Sequence, residues 1–219
     1  MRPLLPIKHL LFYTLLSMSC NLFALTVRGT VTTVDGDPVA EAVITAVGTV
    51  KNKTSATSPR KMDQRNREFV SHILAVHVGE SVIFPNSDDI HHHIYSFSPA
   101  NPFEIQLYKG VPAHPTPFNK TGVVVLGCNI HDWMVGYVYV TDAPYFTQTD
   151  TQGQWTLTVP ADDYTLTLWH PDLDSPNNVQ VQQLKINTEN TAPIEQKVTL
   201  NPVLRTGKPP EEENLSSPY

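Results

Sequence analysis

The sequence predicts an all-β protein organised as a β-sandwich. Short segments alternate apolar and polar residues, which is the period of a strand with one buried face. Gly and Asp turn signals and 19 prolines separate these segments. No stretch repeats its apolar residues with the 3.6-residue period of a helix. Many short strands at this spacing are typical of sandwich architectures.

The predicted strands run from residue 25 to residue 200. Residues 25–31 alternate apolar and polar side chains, residues 35–38 form an Asp-Gly-Asp-Pro turn, and residues 42–47 resume the strand pattern. The remaining predicted strands are 73–78, 81–84, 93–97, 103–108, 123–126, 136–141, 154–159, 164–169, 179–186 and 194–200.

Two segments have few core residues. Residues 51–68 are polar and charged, which predicts a linker or loop. Residues 203–219 contain the run Pro209-Pro210 followed by three glutamates, which predicts a disordered tail.

Residues 1–24 have the layout of a secretory signal peptide. Arg2 and Lys8 precede an apolar run at 10–16, and Ala24 supplies a small residue for cleavage. The apolar run is too short to cross a bilayer, and no later segment is apolar enough to do so. We therefore expect a soluble, exported, periplasmic protein. In a second interpretation, Cys20 is the acylated residue of a lipoprotein signal.

The charge of the chain is acidic, with a formal value of -6. The predicted signal holds two basic residues and no acidic one, so the mature protein keeps 13 basic and 21 acidic residues, or -8. This balance argues against nucleic acid as a partner. An acidic surface would steer a basic partner at low salt, although solubility explains the charge equally well.

The most informative motif is Cys128-x2-His131-x2-Met134, because one short loop can present a thiolate, an imidazole and a thioether to one metal. If Cys20 leaves with the signal, Cys128 is the single cysteine and cannot form an internal disulfide. Soft sulfur ligands with imidazole favour copper, and two His, one Cys and a weak axial Met form a blue-copper site.

The second imidazole is expected from the triplet His91-His92-His93, which follows the predicted strand at 81–84 and a turn. Adjacent strand residues face opposite sides of a sheet, so His92 and His93 cannot both enter one site without distortion. The residues alone leave the choice within the triplet open.

Other interpretations explain these residues less well. A structural zinc site would use more Cys or His and no Met. Cys128 and His131 could act as nucleophile and base, but no orienting third group is identifiable. Asp88 and Asp89 are interpreted as a solvated turn, and Met62 as a mobile-loop residue or a second copper contact.

Three segments carry a family resemblance: Phe84-Pro85-Asn86, residues 92–98 and residues 126–132. With them, residues 69–146 resemble a cupredoxin of the plastocyanin and amicyanin type, and the short ligand loop is similar to that of amicyanin. The same segments resemble exported proteins labelled methylamine-utilisation or plastocyanin-like.

The resemblance implies one type 1 copper that cycles between Cu(I) and Cu(II). The implied ligands are His92, Cys128, His131 and Met134. His93 and then His91 are the alternatives for the upstream imidazole. His93 falls where the family usually has an Asn that ties the two ligand loops together.

The resemblance also implies a one-electron carrier, not an enzyme, that is a monomer and meets a redox partner such as a cytochrome or a dehydrogenase. His131 would be the electron port in an apolar patch with Ile130, Trp133 and Val135, although Trp133 could instead pack the loop. Two alternatives stay open. One is a copper-delivery or copper-sequestering protein, and the other is a non-redox β-sandwich interaction module.

The two ends of the chain resemble the two halves of a transthyretin-like carboxypeptidase regulatory domain. The segments concerned are 27–31, 35–43, 149–157 and 159–166. The resemblance implies a discontinuous, smaller sandwich from residues 25–50 and 147–202, with the copper domain inserted between them. The alternative is two sequential pieces around a larger cupredoxin.

Overall fold

The computed structural model describes residues 24–49, 58–188 and 192–202. Their regular structure is β apart from one 3-10 turn at Pro176–Asn178, which confirms the predicted all-β class. Within these ranges no helix is long and apolar enough to cross a membrane. The predicted signal, except Ala24, and the predicted tail lie outside the described residues.

The strands of the described chain pair into five sheets. In order they are Ala24–Thr33 (β1), Val43–Val47 (β2), Arg60–Lys61 (β3), Asp63–Arg65 (β4), Glu68–Val70 (β5), Ile73–His77 (β6), Ser81–Ile83 (β7), His92–Ser96 (β8), Phe103–Tyr108 (β9), Thr116–Pro117 (β10), Gly122–Gly127 (β11), Val135–Thr141 (β12), Tyr145–Gln148 (β13), Gln154–Pro160 (β14), Asp162–Trp169 (β15), Val179–Ile186 (β16) and Ile194–Val198 (β17).

Strands from both ends of the chain form two sheets that share one core, here called the flanking sheets. One has the order β14-β1-β17 and the other the order β13-β2-β15-β16. β1 pairs antiparallel with β14 and parallel with β17. Val31, Ile44 and Leu168 are fully buried between the two sheets, because the inward positions of each alternating strand meet there.

The middle of the chain forms the sheets that carry the predicted ligands, here called the central sheets. The largest has the order β6-β12-β11-β8-β9, and a smaller one has the order β10-β7-β3. A second core lies among these strands, with Phe84, Phe118 and Leu126 fully buried. Whether the central and flanking sheets fold as separate domains stays a prediction.

Gln148 joins the two sets of sheets through hydrogen bonds to the edge of β6. Its Oε1 accepts the backbone N–H of Ala75 at 2.9 Å, and its Nε2 donates to the carbonyl oxygens of Ile73 and Glu41 at 3.1 and 3.3 Å. Oε2 of Glu41 accepts the N–H of Ile73 at 2.9 Å. Side chains of the flanking part therefore replace a neighbouring strand along β6, and Trp169 packs beside them in a shared apolar cluster.

The predicted linker at 51–68 is wrong where the structure describes it. Residues 60–61, 63–65 and 68–70 are strands, and Met62, Asp63 and Gln64 are 0–5% exposed. The segment looked like a solvated loop because its charges are dense. In the fold, Lys61 and Arg65 lie 3.2 and 3.3 Å from the buried Asp63 carboxylate and neutralise it.

Two further short strands lie where the sequence predicts none. β13, at Tyr145–Gln148, pairs with β2 in a flanking sheet, so the change from central to flanking sheets comes before residue 147. β10 is only Thr116–Pro117 and pairs with β7. Strands this short carry no periodic signal in the sequence.

Candidate metal centre

Paired strands bring an imidazole and the thiolate together. β8 begins at His92, and β11 ends at Gly127, immediately before Cys128. The two strands pair at Gly127 and Tyr95, so the sheet fixes where Cys128 lies relative to His92. A Cβ atom at Gly127 would lie 2.6 Å from the tip of the Tyr95 ring, so a larger residue there requires that ring to move.

Three of the predicted ligands converge on one point. Nδ1 of His92 lies 3.8 Å from Sγ of Cys128, and Nδ1 of His131 lies 3.7 Å from the same sulfur. All three donor atoms lie within 4.8 Å of one another. His92, Cys128 and His131 are 0%, 3% and 9% exposed. Among the described residues they form a buried set of donors that one metal ion could contact.

The donor separations fit a single bound ion. An ion about 2.0 Å from each nitrogen and about 2.3 Å from the sulfur needs N···S separations of about 3.6–3.8 Å at ordinary bond angles. The two observed N···S distances, 3.8 and 3.7 Å, match that requirement without movement of the backbone.

Met134 ends the loop that carries two of these donors. Its backbone N–H donates to the carbonyl oxygen of His131 at 2.9 Å, which turns the chain into β12. Met134 is 1% exposed and belongs to the same buried cluster as Cys128. Its role as the axial ligand stays a prediction.

The three histidines of the triplet have different surroundings. The ring of His92 enters the donor set, whereas Nε2 of His93 lies 2.8 Å from Oε1 of Glu104 and 3.4 Å from Nδ2 of Asn129. His91 is exposed. His92 and His93 point apart because neighbouring strand residues alternate in direction. Of the three, His92 alone is placed to bind with the thiolate.

His93 still connects the two ligand-bearing segments. Asn129 follows Cys128 directly, so the His93–Asn129 contact at 3.4 Å ties the start of the ligand loop to β8. The cupredoxin family that the sequence resembles usually has an Asn on the strand at the position of His93. Here the histidine is on the strand and the asparagine is on the loop.

Asp88 forms the outer contact of His92. Its Oδ2 lies 2.7 Å from Nε2 of His92, and its two oxygens accept the backbone N–H groups of Asn66 and Arg67 at 2.6 and 2.8 Å. Burial acts to raise the pKa of the Asp88 carboxyl. The hydrogen bonds from Arg67, His92 and Asn66 outweigh that effect and hold the pKa below its usual 3.8. The group is therefore a carboxylate at neutral pH.

The electrostatic surroundings keep His131 neutral. Burial lowers the pKa of this imidazole below its usual 6.5, the electrostatic interactions with His92 and Arg67 lower it further, and Asp88 opposes them. A neutral imidazole keeps a lone pair on one ring nitrogen, which is the form that binds metals.

The surface above the donor set contains part of the predicted patch. His131 is 9% exposed, and the neighbouring Ile130 is 48% exposed. The ring of Trp133 is tilted against that of His131, with centroids 5.1 Å apart, so Trp133 packs the loop and Val135 is half-buried behind it.

Sequence reasoning missed Asp88 and the segment that holds it. Asp88 was expected in a solvated turn, yet its side chain is 12% exposed and contacts His92. Asp89 is the solvated residue of the pair. The short spacing from Asp88 to His92 could have indicated a contact between the two side chains. The backbone N–H groups of residues 66 and 67, which hold Asp88, could not be predicted from the sequence.

The comparisons with known proteins reach only part of the chain. No protein-family model matches the sequence, and no curated protein matches it significantly. Its similar solved structures include a Cu-containing nitrite reductase from Thermus scotoductus SA-01, with 23% identity over 42% of this chain and 24% of that one, and a TM-score of 0.37. The chain spans about a quarter of the length of that reductase.

Two smaller proteins are matched over nearly their whole length. A reduced amicyanin variant shows 19% identity, with 44% of this chain and 99% of that chain covered and a TM-score of 0.35. A purple cupredoxin from Nitrosopumilus maritimus shows 22% identity, with 37% and 99% covered and a TM-score of 0.34. These values identify no family for the chain, so we base its function on the geometry of the site.

Proposed function

We propose that this chain is an exported electron carrier with one type 1 copper, bound by Cys128, His92 and His131, with Met134 as the weak axial ligand. The observation that carries the proposal is that two buried imidazole nitrogens and the cysteine sulfur lie within 4.8 Å of one another. Copper would supply a one-electron couple between Cu(I) and Cu(II).

Each ligand has a separate role in this proposal. Cys128 binds as the thiolate, so its proton leaves when the metal enters. His92 and His131 would bind the metal as neutral imidazoles. Met134 tunes the reduction potential from a longer distance. Since sulfur from Met is not a ligand of structural zinc, the donor set favours copper over zinc.

The burial of the site supports electron transfer over bond chemistry. His92 and Cys128 are 0% and 3% exposed, so a substrate has no direct approach to them. The ring of His131 lies nearest the surface of the three, beside the exposed Ile130. We propose His131 as the port through which a redox partner exchanges electrons, and the protein as a non-enzyme.

A copper-delivery protein needs additional metal-binding side chains that are accessible, so that they can hand the metal to an acceptor. Met62 is 0% exposed in the core, and His93 is engaged by Glu104 at 2.8 Å. Both residues are therefore poorly placed to pass a metal on, and only the third spare ligand of that alternative, His91, is exposed. The partner itself, proposed as a cytochrome or a dehydrogenase met by a periplasmic monomer, is to be identified by experiment.

The test is to titrate the purified protein, without residues 1–23, with Cu(II) and to record visible absorption and EPR. An intense thiolate-to-copper band with one copper per chain is expected. Cys128→Ser and His92→Ala should lose the band, whereas His93→Ala should keep it. A band that survives in Cys128→Ser, or no band in the unaltered protein, would refute the proposal.

A further inference from the structure

Two adjacent histidines each have a carboxylate partner, but only one of them faces the thiolate. Nε2 of His92 lies 2.7 Å from Asp88, and Nε2 of His93 lies 2.8 Å from Glu104. The carboxylates differ in exposure, because the Asp88 side chain is 12% exposed and the Glu104 side chain is 58% exposed. The chain thus contains a buried pair at the donor set and, beside it, a buried histidine paired with an exposed carboxylate.

The β4–β5 hairpin holds Asp88 in place. Its two turn residues, Asn66 and Arg67, have φ angles of 54° and 59°. In a turn of this kind two successive N–H groups can point the same way, and here both donate to the Asp88 carboxylate, at 2.6 and 2.8 Å. A third bond, from the Asp88 N–H to Oδ1 of Asn86 at 3.0 Å, fixes the backbone.

The contact determines which nitrogen of His92 can bind a metal. A carboxylate only accepts hydrogen bonds, so Nε2 of His92 has to carry the hydrogen that Asp88 accepts. In the neutral ring Nδ1 then carries no hydrogen, and Nδ1 is the atom that lies 3.8 Å from the sulfur of Cys128. The ring is fully buried and has no water with which to exchange this partner.

We propose that Asp88 is a positioning residue of the metal centre, which holds the metal-binding form of His92 and stabilises the more highly charged oxidation state. The second part rests on the proposed copper function. A fixed negative charge one imidazole away from the metal interacts more strongly with Cu(II) than with Cu(I), because Cu(II) has one more positive charge. The carboxylate therefore lowers the reduction potential.

The expected size follows from outer contacts in other metal sites. Loss of a residue that orients a ligand histidine typically weakens metal binding by about 10- to 100-fold. If the affinity for Cu(II) falls about tenfold more than the affinity for Cu(I), the one-electron potential rises by about 59 mV.

The experiment compares Asp88→Asn with Glu104→Gln, which change the net charge of the protein equally. Cu(I) and Cu(II) affinities are measured by chelator competition, and the potential by redox titration. We expect Asp88→Asn to weaken Cu(II) binding about 10- to 100-fold, with a smaller loss for Cu(I) and a raised potential, while Glu104→Gln leaves all three values near those of the unaltered protein.

Three results would overturn the inference. Equal shifts in both variants would show a general charge effect. Equal losses of Cu(I) and Cu(II) affinity in Asp88→Asn would show a purely structural role. A shift in Glu104→Gln alone would show that His93 is the ligand.

A second measurement needs neither copper nor a variant. Nitrogen-15 NMR of the metal-free protein should show His92 with its hydrogen on Nε2, as the Asp88 contact requires. A hydrogen on Nδ1 would refute the positioning role, even if copper binds. If copper gives no blue absorption band but the His92 hydrogen is on Nε2, the copper function is refuted and the Asp88–His92 contact stands.

Discussion

Replacement of Gln148 by Ala should show how strongly the two sets of sheets are coupled. Gln148 makes three hydrogen bonds, at 2.9, 3.1 and 3.3 Å, to backbone groups of Ala75, Ile73 and Glu41. Each such bond contributes about 1 kcal/mol net, and a buried N–H left without a partner costs about 1–3 kcal/mol. Ala75 is 2% exposed, so water reaches its N–H poorly.

We expect Gln148→Ala to lower the free energy of unfolding by about 2–3 kcal/mol, or the melting temperature by about 4–12 °C for a chain of this size. Urea unfolding followed by tryptophan fluorescence and circular dichroism measures the change. Gln183→Ala is the matched control, because exposed Gln183 has one side-chain contact, with Thr165 at 3.1 Å, and should cost less than about 0.5 kcal/mol. Equal costs in the two variants would show that the Gln148 bonds do not couple the sheets.

Three further predictions concern a titration, a packing contact and the axial ligand. Burial raises the pKa of Tyr164 to about 12 from its usual 10.0. The stability that the neutral phenol contributes is therefore complete below pH 10 and is lost as pH rises towards 12. In denaturant titrations, the Tyr164→Phe variant should lose less stability over that pH range than the unaltered protein. Gly29→Ala should lower the free energy of unfolding by about 1–3 kcal/mol or more, because the added Cβ would lie 2.5 Å from the buried ring of Trp155. Gly127→Ala is the control, since its Cβ meets only the tip of a half-buried tyrosine, and it should lower the free energy of unfolding less in urea titrations. Met134→Leu should keep the visible band and shift the potential, and a colourless copper complex would mean that Met134 has a different role.

The sequence predicted the strands that have long alternating patterns. β1, β12 and β15 show burial patterns that alternate along most of their length, and such patterns are visible in the residues themselves. The candidate ligands were also visible in the sequence, because three of the four lie within one seven-residue loop. The alternation rule shows that His92 and His93 cannot both enter the site, but it does not decide between them.

The segment from 60 to 70 could not be predicted in the same way. Its strands have two or three residues each, and their stability comes from partners distant in sequence. The N–H of Gln64 donates to the carbonyl oxygen of Pro85 at 2.9 Å, and Ser87 donates to Asp63 at 2.9 Å. Asp63 can be buried here because its carboxylate meets Ser87 as well as Lys61 and Arg65, and the contact with Ser87 is not visible in the local sequence.

The flanking sheets combine strands from before and after the central strands, so they should form later in folding. Ala42 donates its N–H to Thr149, which is 107 residues further along, and β1 pairs with β14 and β17, which come much later in the chain. The strands around the proposed metal ligands all pair within residues 60–141. Contacts that close shorter loops form faster, so a refolding chain should shield the Cys128 thiol from an alkylating reagent before it buries Trp155. Until the last strand arrives, β1 remains an open edge that can recruit another chain.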